Sequence, residues 1–181
     1  MTPTVEQLRD VILAAVPGAT VEVTPTASLL VDAGHLPAVA RFLKNDVTLL
    51  LDSCSCLTAV DYPPKADKPQ TGCIEVVYHL YSVALKHGPV TLKVRAPRAL
   101  EQCRVPSLTP VWRGCEFQER EAFDLFGVKF DGHPDLRRIL MWDEFADHPM
   151  RKDYVAPDDF EYEPTPHDEI LAKVKARTEA A

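Results

Sequence analysis

The chain has 181 residues, 46% of them hydrophobic and 26% charged, enough for one domain with its own core and a balance that excludes disorder of the whole chain. Its net charge of −7 disfavours nucleic acid as a partner, because phosphate contact needs a basic surface. No apolar run approaches the ~20 residues that span a bilayer. The N-terminus also lacks the basic stretch and apolar core of a secretory signal, so the expected setting is the cytoplasm.

In chain order, the first predicted element is a helix. Thr4 and Gln7 have capping-box spacing, and Val5, Leu8, Val11, Ile12, Ala15 and Val16 recur at helical intervals up to Pro17 and Gly18. Residues 20–24 and 28–31 read as short strands broken at Pro25. Residues 36–43 read as a second helix, and the apolar run 47–51 as a buried strand. Residues 62–72 hold three prolines and a glycine and read as a loop. A hairpin follows, with strands at 74–85 and 90–95 and a turn at Lys86, His87, Gly88 and Pro89. Strands that follow one another directly favour an α+β class: a two-layer domain with a mixed or antiparallel sheet packed on helices. A third helix is predicted over 116–126, ended by Gly127, with Glu116, Arg120 and Asp124 at i, i+4 spacing.

After Phe130 the character changes. Five prolines, many charges and scattered large apolar residues occupy 131–166. Leaving Leu136, Ile139, Leu140, Met141, Trp142 and Phe145 wet forgoes roughly 1.5–3 kcal/mol each. The expected division is a globular domain at 1–130, an extended partner-binding arm at 131–155, and an acidic tail at 156–181. In that tail Thr165, Pro166, Ile170, Leu171 and Val174 suggest a short helix. His133 and Pro134 precede Arg137 and Arg138; fifteen residues on, His148 and Pro149 precede Arg151 and Lys152. Each His-Pro step is a corner followed by a basic pair, which suits contact with a partner's carboxylates.

Two chemistries compete with a binding role. Cys54, Cys56, Cys73, Cys103 and Cys115 match neither zinc nor ferredoxin spacing, and on a strand Cys54 and Cys56 share a face as small hydrophobes. A free-standing enzyme using the acidic helix and the two histidines is the other. Glu119 and Glu121 diverge around a helix, and no nucleophile elbow, phosphate loop or dinucleotide fingerprint occurs.

The run Glu119-Arg120-Glu121-Ala122-Phe123-Asp124-Leu125-Phe126-Gly127, then Gly132-His133-Pro134-Asp135-Leu136-Arg137-Arg138-Ile139-Leu140 and His148-Pro149-Met150-Arg151-Lys152-Asp153-Tyr154, resembles the signature of the 30-kDa subunit of respiratory complex I, the C subunit of bacterial NADH-quinone oxidoreductase. Residues 58–63 and 77–82 are weaker landmarks, and the resemblance covers about 5–155. Residues 141–145 and Ala146 depart from the usual pattern. The resemblance implies a non-catalytic subunit without a redox centre, whose arm wraps the large quinone-site (49-kDa, D-type) subunit beside cluster-binding subunits. FMN, iron–sulfur clusters and quinone would lie in those partners, with the complex peripheral on the cytoplasmic side of the inner membrane. The candidate contact residues are Glu119, Arg120, Glu121, Asp124, Gly127, His133, Pro134, Asp135, Arg137, Arg138, His148, Pro149, Arg151, Lys152 and Asp153. The equivalent subunit of a related membrane-bound hydrogenase or other-donor dehydrogenase shares the signature.

Overall fold

The computed structural model describes residues 3–65 and 72–155. In order, the elements are α1 (Val5–Ala15), β1 (Val21–Val23), β2 (Leu29–Val31), α2 (Leu36–Asn45), β3 (Ser53–Tyr62), β4 (Cys73–Ser82), β5 (His87–Pro97), β6 (Arg104–Pro106), α3 (Cys115–Phe126) and β7 (Lys129–Asp131). The expected α+β class holds. A five-stranded mixed sheet has the order β1-β2-β5-β4-β3, with β2 and β5 parallel and the other pairs antiparallel; β6 and β7 form a small parallel pair.

The capping box of α1 is formed: Gln7 N–H donates to Thr4 Oγ1 at 3.3 Å, and Thr4 N–H donates to Gln7 Oε1 at 2.9 Å. Leu8 and Ile12 of α1, Leu36, Val39, Ala40 and Leu43 of α2, and Ala122 and Phe126 of α3 share one buried cluster with the sheet. On β5, Val90, Leu92, Val94 and Ala96 point into that cluster, while Thr91, Lys93 and Arg95 alternate to the other face.

Three expectations about local structure are corrected. Residues 47–51 are a loop, not a strand. The Asp46 carboxylate captures the Thr48 and Leu49 N–H groups at 2.9 and 3.1 Å, offering the backbone an alternative to a ladder. Leu49 and Leu51 anchor this loop in the core while Val47 is 81% exposed, and β3 begins only at Ser53. The hairpin turn is also earlier than expected. The Asp52 carboxylate accepts from Val83 and Ala84 N–H at 2.8 and 3.2 Å, so β4 ends at Ser82 and His87 already pairs within β5. Finally, a register shift between Cys54 and Cys56 places Cys54 in the core and Cys56 in solvent, so the two do not share a face. The helix expected at 165–174 lies outside the described residues.

Candidate functional site

Helix α3 carries most of the signature, and its polar residues reach the irregular segment after β7. Asp124 is fully buried. Its Oδ2 accepts the consecutive N–H groups of Ile139, Leu140 and Met141 at 3.0, 2.7 and 2.9 Å, and Oδ1 accepts from Arg138 Nη1 at 2.6 Å. Burial pushes this carboxyl up, but those three N–H groups and Arg138 outweigh it and hold the pKa below the ordinary aspartate value. Arg120, also buried, donates to the carbonyls of Arg137 and Arg138 at 3.2 and 3.0 Å and lies over the Phe117 ring. The expected i, i+4 pairs of Arg120 with Glu116 and Asp124 are therefore replaced by bonds to 137–141, because the folded-back chain offers acceptors and donors in better geometry.

Glu119 is not a solvated helix acid. It is fully buried and accepts from Ser107 Oγ at 2.6 Å, Leu108 N–H at 2.7 Å and Thr109 Oγ1 at 3.2 Å. Burial raises its pKa against those donors. Glu121, two residues on, is exposed. Gly127 ends α3 with φ 75°. A Cβ there would meet Leu100 and His148 at 2.6 and 2.7 Å, so glycine serves both the left-handed cap and the close approach of the arm.

The two His-Pro corners are joints on α3. His133 Nε2 bonds the Glu116 carbonyl at 2.9 Å while its Nδ1 accepts from Asp135 N–H at 3.0 Å. His148 Nδ1 donates to the Asp124 carbonyl at 2.9 Å. Burial, then the charges of Arg138 and Arg151, lower the His148 pKa against the pull of Asp124. Each basic pair is split. Arg138 and Arg151 turn inward, Arg151 donating to the Phe126 and Arg98 carbonyls at 2.7 and 2.8 Å. The Arg137 side chain stays 69% exposed beside Asp135, and Lys152 is exposed. Pro134 is exposed and Pro149 half-buried.

Two residues in this architecture lie outside the candidate contacts, Asp61 within the weaker landmark at 58–63 and Arg98 outside both landmarks. Asp61 on β3 is 2% exposed; it takes Arg98 Nε and Nη2 at 2.7 and 2.8 Å and Lys152 N–H at 2.8 Å. The Arg98 bonds come first among the causes that lower its pKa. Arg98 also grips Asp153 at 2.7 Å. Positions 61, 98 and 152 are brought together only by the fold. Among the described residues no group of three His, Cys, Asp or Glu side chains is placed to hold a metal. Cys54 and Cys115 are buried, the Cys54 thiol donating to the Cys56 carbonyl at 3.6 Å, while Cys103 is buried and Cys73 half-buried elsewhere.

The arm thus has two sides. Phe145 packs inward, 4% exposed, whereas Leu140, Trp142 and Met150 are 61, 44 and 55% exposed on the outer side.

Comparison with known proteins follows the same residues. The family described as respiratory-chain NADH dehydrogenase, 30 Kd subunit, matches residues 29–160. The C subunit of the NADH-quinone oxidoreductase of Moorella thermoacetica is 46% identical over 129 residues, covering 70% of this chain and 78% of the relative. The matched part spans about half to three quarters of the length of the curated relatives. Among solved structures, a chain of the archaeal membrane-bound sulfane sulfur reductase, a respiratory membrane complex, superposes with TM-score 0.61 at 26% identity, covering 93% of this chain and 91% of that one. A trypsin-resistant fragment of Nqo5 superposes with TM-score 0.50 at 28% identity, covering 72% and 98%. The chain belongs to the family of the 30-kDa subunit of respiratory-chain NADH dehydrogenase.

Proposed function

We propose that the chain is a structural subunit of a membrane-associated NADH:quinone oxidoreductase and supports the large quinone-site subunit through the outer side of its arm. The observation that carries this reading is the two-sided arm. Its inner side is tied by Asp124, Arg120, His148 and Asp61, while Leu140, Trp142, Met150 and Arg137 project from the outer side. Exposed apolar residues on a segment held this firmly suit burial against another polypeptide. In this reading Arg137 and Lys152 meet partner carboxylates, and Arg138 and Arg151 shape the surface from behind. The chain has no active site of its own. Hydride and electron chemistry belongs to FMN, iron–sulfur clusters and quinone held by the partners, on the cytoplasmic side of the membrane. No helix among the described residues is long and apolar enough to cross a membrane, so attachment runs through the complex. The likeness to a sulfane sulfur reductase chain over 93% of the length favours one second reading, the equivalent subunit of a related respiratory complex with redox substrates other than NADH and quinone.

Affinity purification of the tagged full-length chain from solubilised membranes separates the two. Co-purification of NADH:quinone oxidoreductase activity is expected. Co-purification of a complex inert with NADH but active with hydrogen or a sulfur substrate would select the second reading, and recovery of the chain alone would overturn both.

A further inference from the structure

The turn between β4 and β5 stands at the end of the sheet opposite to the arm. The arm is tied near Tyr62, the last residue of β3, through Asp61 and Arg98. The turn lies beside the first residue of that strand, where Ser53 pairs with Tyr81 and Ser82 with His87. The 10 residues of β3 hold the two ends about 30 Å apart. Three sets of contacts fix the turn. The Asp52 carboxylate takes the Val83 and Ala84 N–H groups, Ser82 Oγ accepts from Leu85 N–H at 3.0 Å, and His87 Nε2 bonds the Leu49 carbonyl at 2.7 Å. Val83 and Leu85 are nevertheless 68 and 46% exposed. Apolar side chains kept in water on a turn held this firmly suit burial against another molecule.

Against the turn opens a pocket of ≈ 480 Å³, within the size range of ligand sites. Ser53, Ser55, Tyr81, Val83, Lys86 and His87 line it. On a chain of net charge −7, this lining holds one lysine and no carboxylate. Lys86 is exposed and makes no ion pair among the described residues. It also takes a left-handed conformation, φ 56°, which glycine or asparagine adopts with less strain. The Asp52 carboxylate behind the turn is already engaged by two N–H groups. The site therefore suits an anionic group set beside an apolar one. Val83 and Leu85 carry the apolar surface beyond the pocket, so an occupant has to cover the rim as well as fill the cavity. A polypeptide does both; a small molecule fills the cavity alone.

We propose that the pocket at the β4–β5 turn is a second docking site, taking a large apolar side chain and a neighbouring aspartate or glutamate from a polypeptide other than the one the arm meets. The apolar side chain fills the pocket, and the carboxylate faces Lys86. The proposal rests on the reading of the chain as a subunit of a larger complex and goes beyond its arm. With a neighbour at each end of the sheet, the chain acts as a brace between two subunits. Burial of the apolar side chain supplies the affinity, and the pair with Lys86 supplies the choice of partner.

The test is photo-crosslinking in the purified complex, with p-benzoylphenylalanine placed in the full chain at position 83 and, separately, at position 140 on the outer side of the arm. Mass spectrometry of the adducts should identify two different polypeptides. Lys86→Glu should lower recovery of the polypeptide joined at position 83 several-fold, and Lys86→Arg should restore it, with the melting temperature of the free chain unchanged in both. No adduct from position 83, an adduct with the polypeptide that position 140 reaches, or full recovery with Lys86→Glu overturns the second site and leaves the subunit reading intact. Failure of the wild-type chain to enter any complex overturns both.

Discussion

Asp124 is the residue on which the arm depends most. One carboxylate satisfies three consecutive backbone donors and Arg138, so its removal leaves several buried groups without partners. Asp124→Ala is expected to destabilise the isolated chain by about 3 kcal/mol. That corresponds to a fall in melting temperature of roughly 6–12 °C for a chain of this size. A fall no larger than that of an exposed substitution such as Glu121→Ala would show that the arm is not held this way. His148 adds a pH dependence whose sign follows from its lowered pKa. The neutral ring is the form the fold favours, so its contribution is whole above about pH 6.5, the unfolded value, and is lost as pH falls through the lower folded value. Asp124 and Asp61, with depressed pKa values, stay ionised through that window. Exchange of the amides of residues 139–152, corrected for intrinsic rate, should therefore accelerate as pH falls below about 6.5. His148→Asn keeps a donor for the Asp124 carbonyl and should abolish the acceleration; persistence of the effect would assign it to another group.

At the scale of elements, the arm hangs from two points: α3 near its middle and the end of β3 near its far end. Asp61→Asn keeps the shape but removes the charge that Arg98 and the Lys152 N–H share. It should speed amide exchange at 150–154 while leaving 139–141 unchanged; equal loosening of both stretches would mean that they form one cooperative unit. The elements legible in the sequence are those with a local cause. The α1 capping box, the α3 stop at Gly127 and the alternation of β5 are written in adjacent residues. The elements that escaped have distant causes, or a nearby side-chain contact that composition does not show. Residues 47–51 have a strand's composition, but Asp46 turns them into a loop. The three-residue strands β6 and β7 are too short to show a period and pair across 25 positions, Arg104 with Lys129. The signature run marked where the site lies but not which way its side chains face. Glu119 and Asp124 look like solvated acids until Ser107 and Ile139 are placed beside them. Asp61 lies in the weaker landmark at 58–63, but nothing local points to Arg98 as its partner, since their pairing spans 37 positions.

The whole molecule divides into a domain that holds its own arm and an outer surface left for partners. Covering Leu140 and Met150 is worth roughly 1–2 kcal/mol each, a modest gain that a rigid, pre-tied arm can realise without first ordering itself. This separates folding from assembly: the inner contacts govern stability of the chain, and the outer contacts govern its place in a complex. The most direct measurement is the yield of intact complex carrying the double variant Arg137→Glu, Leu140→Glu, set beside the melting temperature of the same variant alone. Both side chains are exposed, 69 and 61%, so the free chain should melt within about 2 °C of the wild type. Recovery of the complex should fall several-fold. Wild-type recovery with wild-type NADH:quinone activity would contradict the account, because the outer side of the arm would then face no partner.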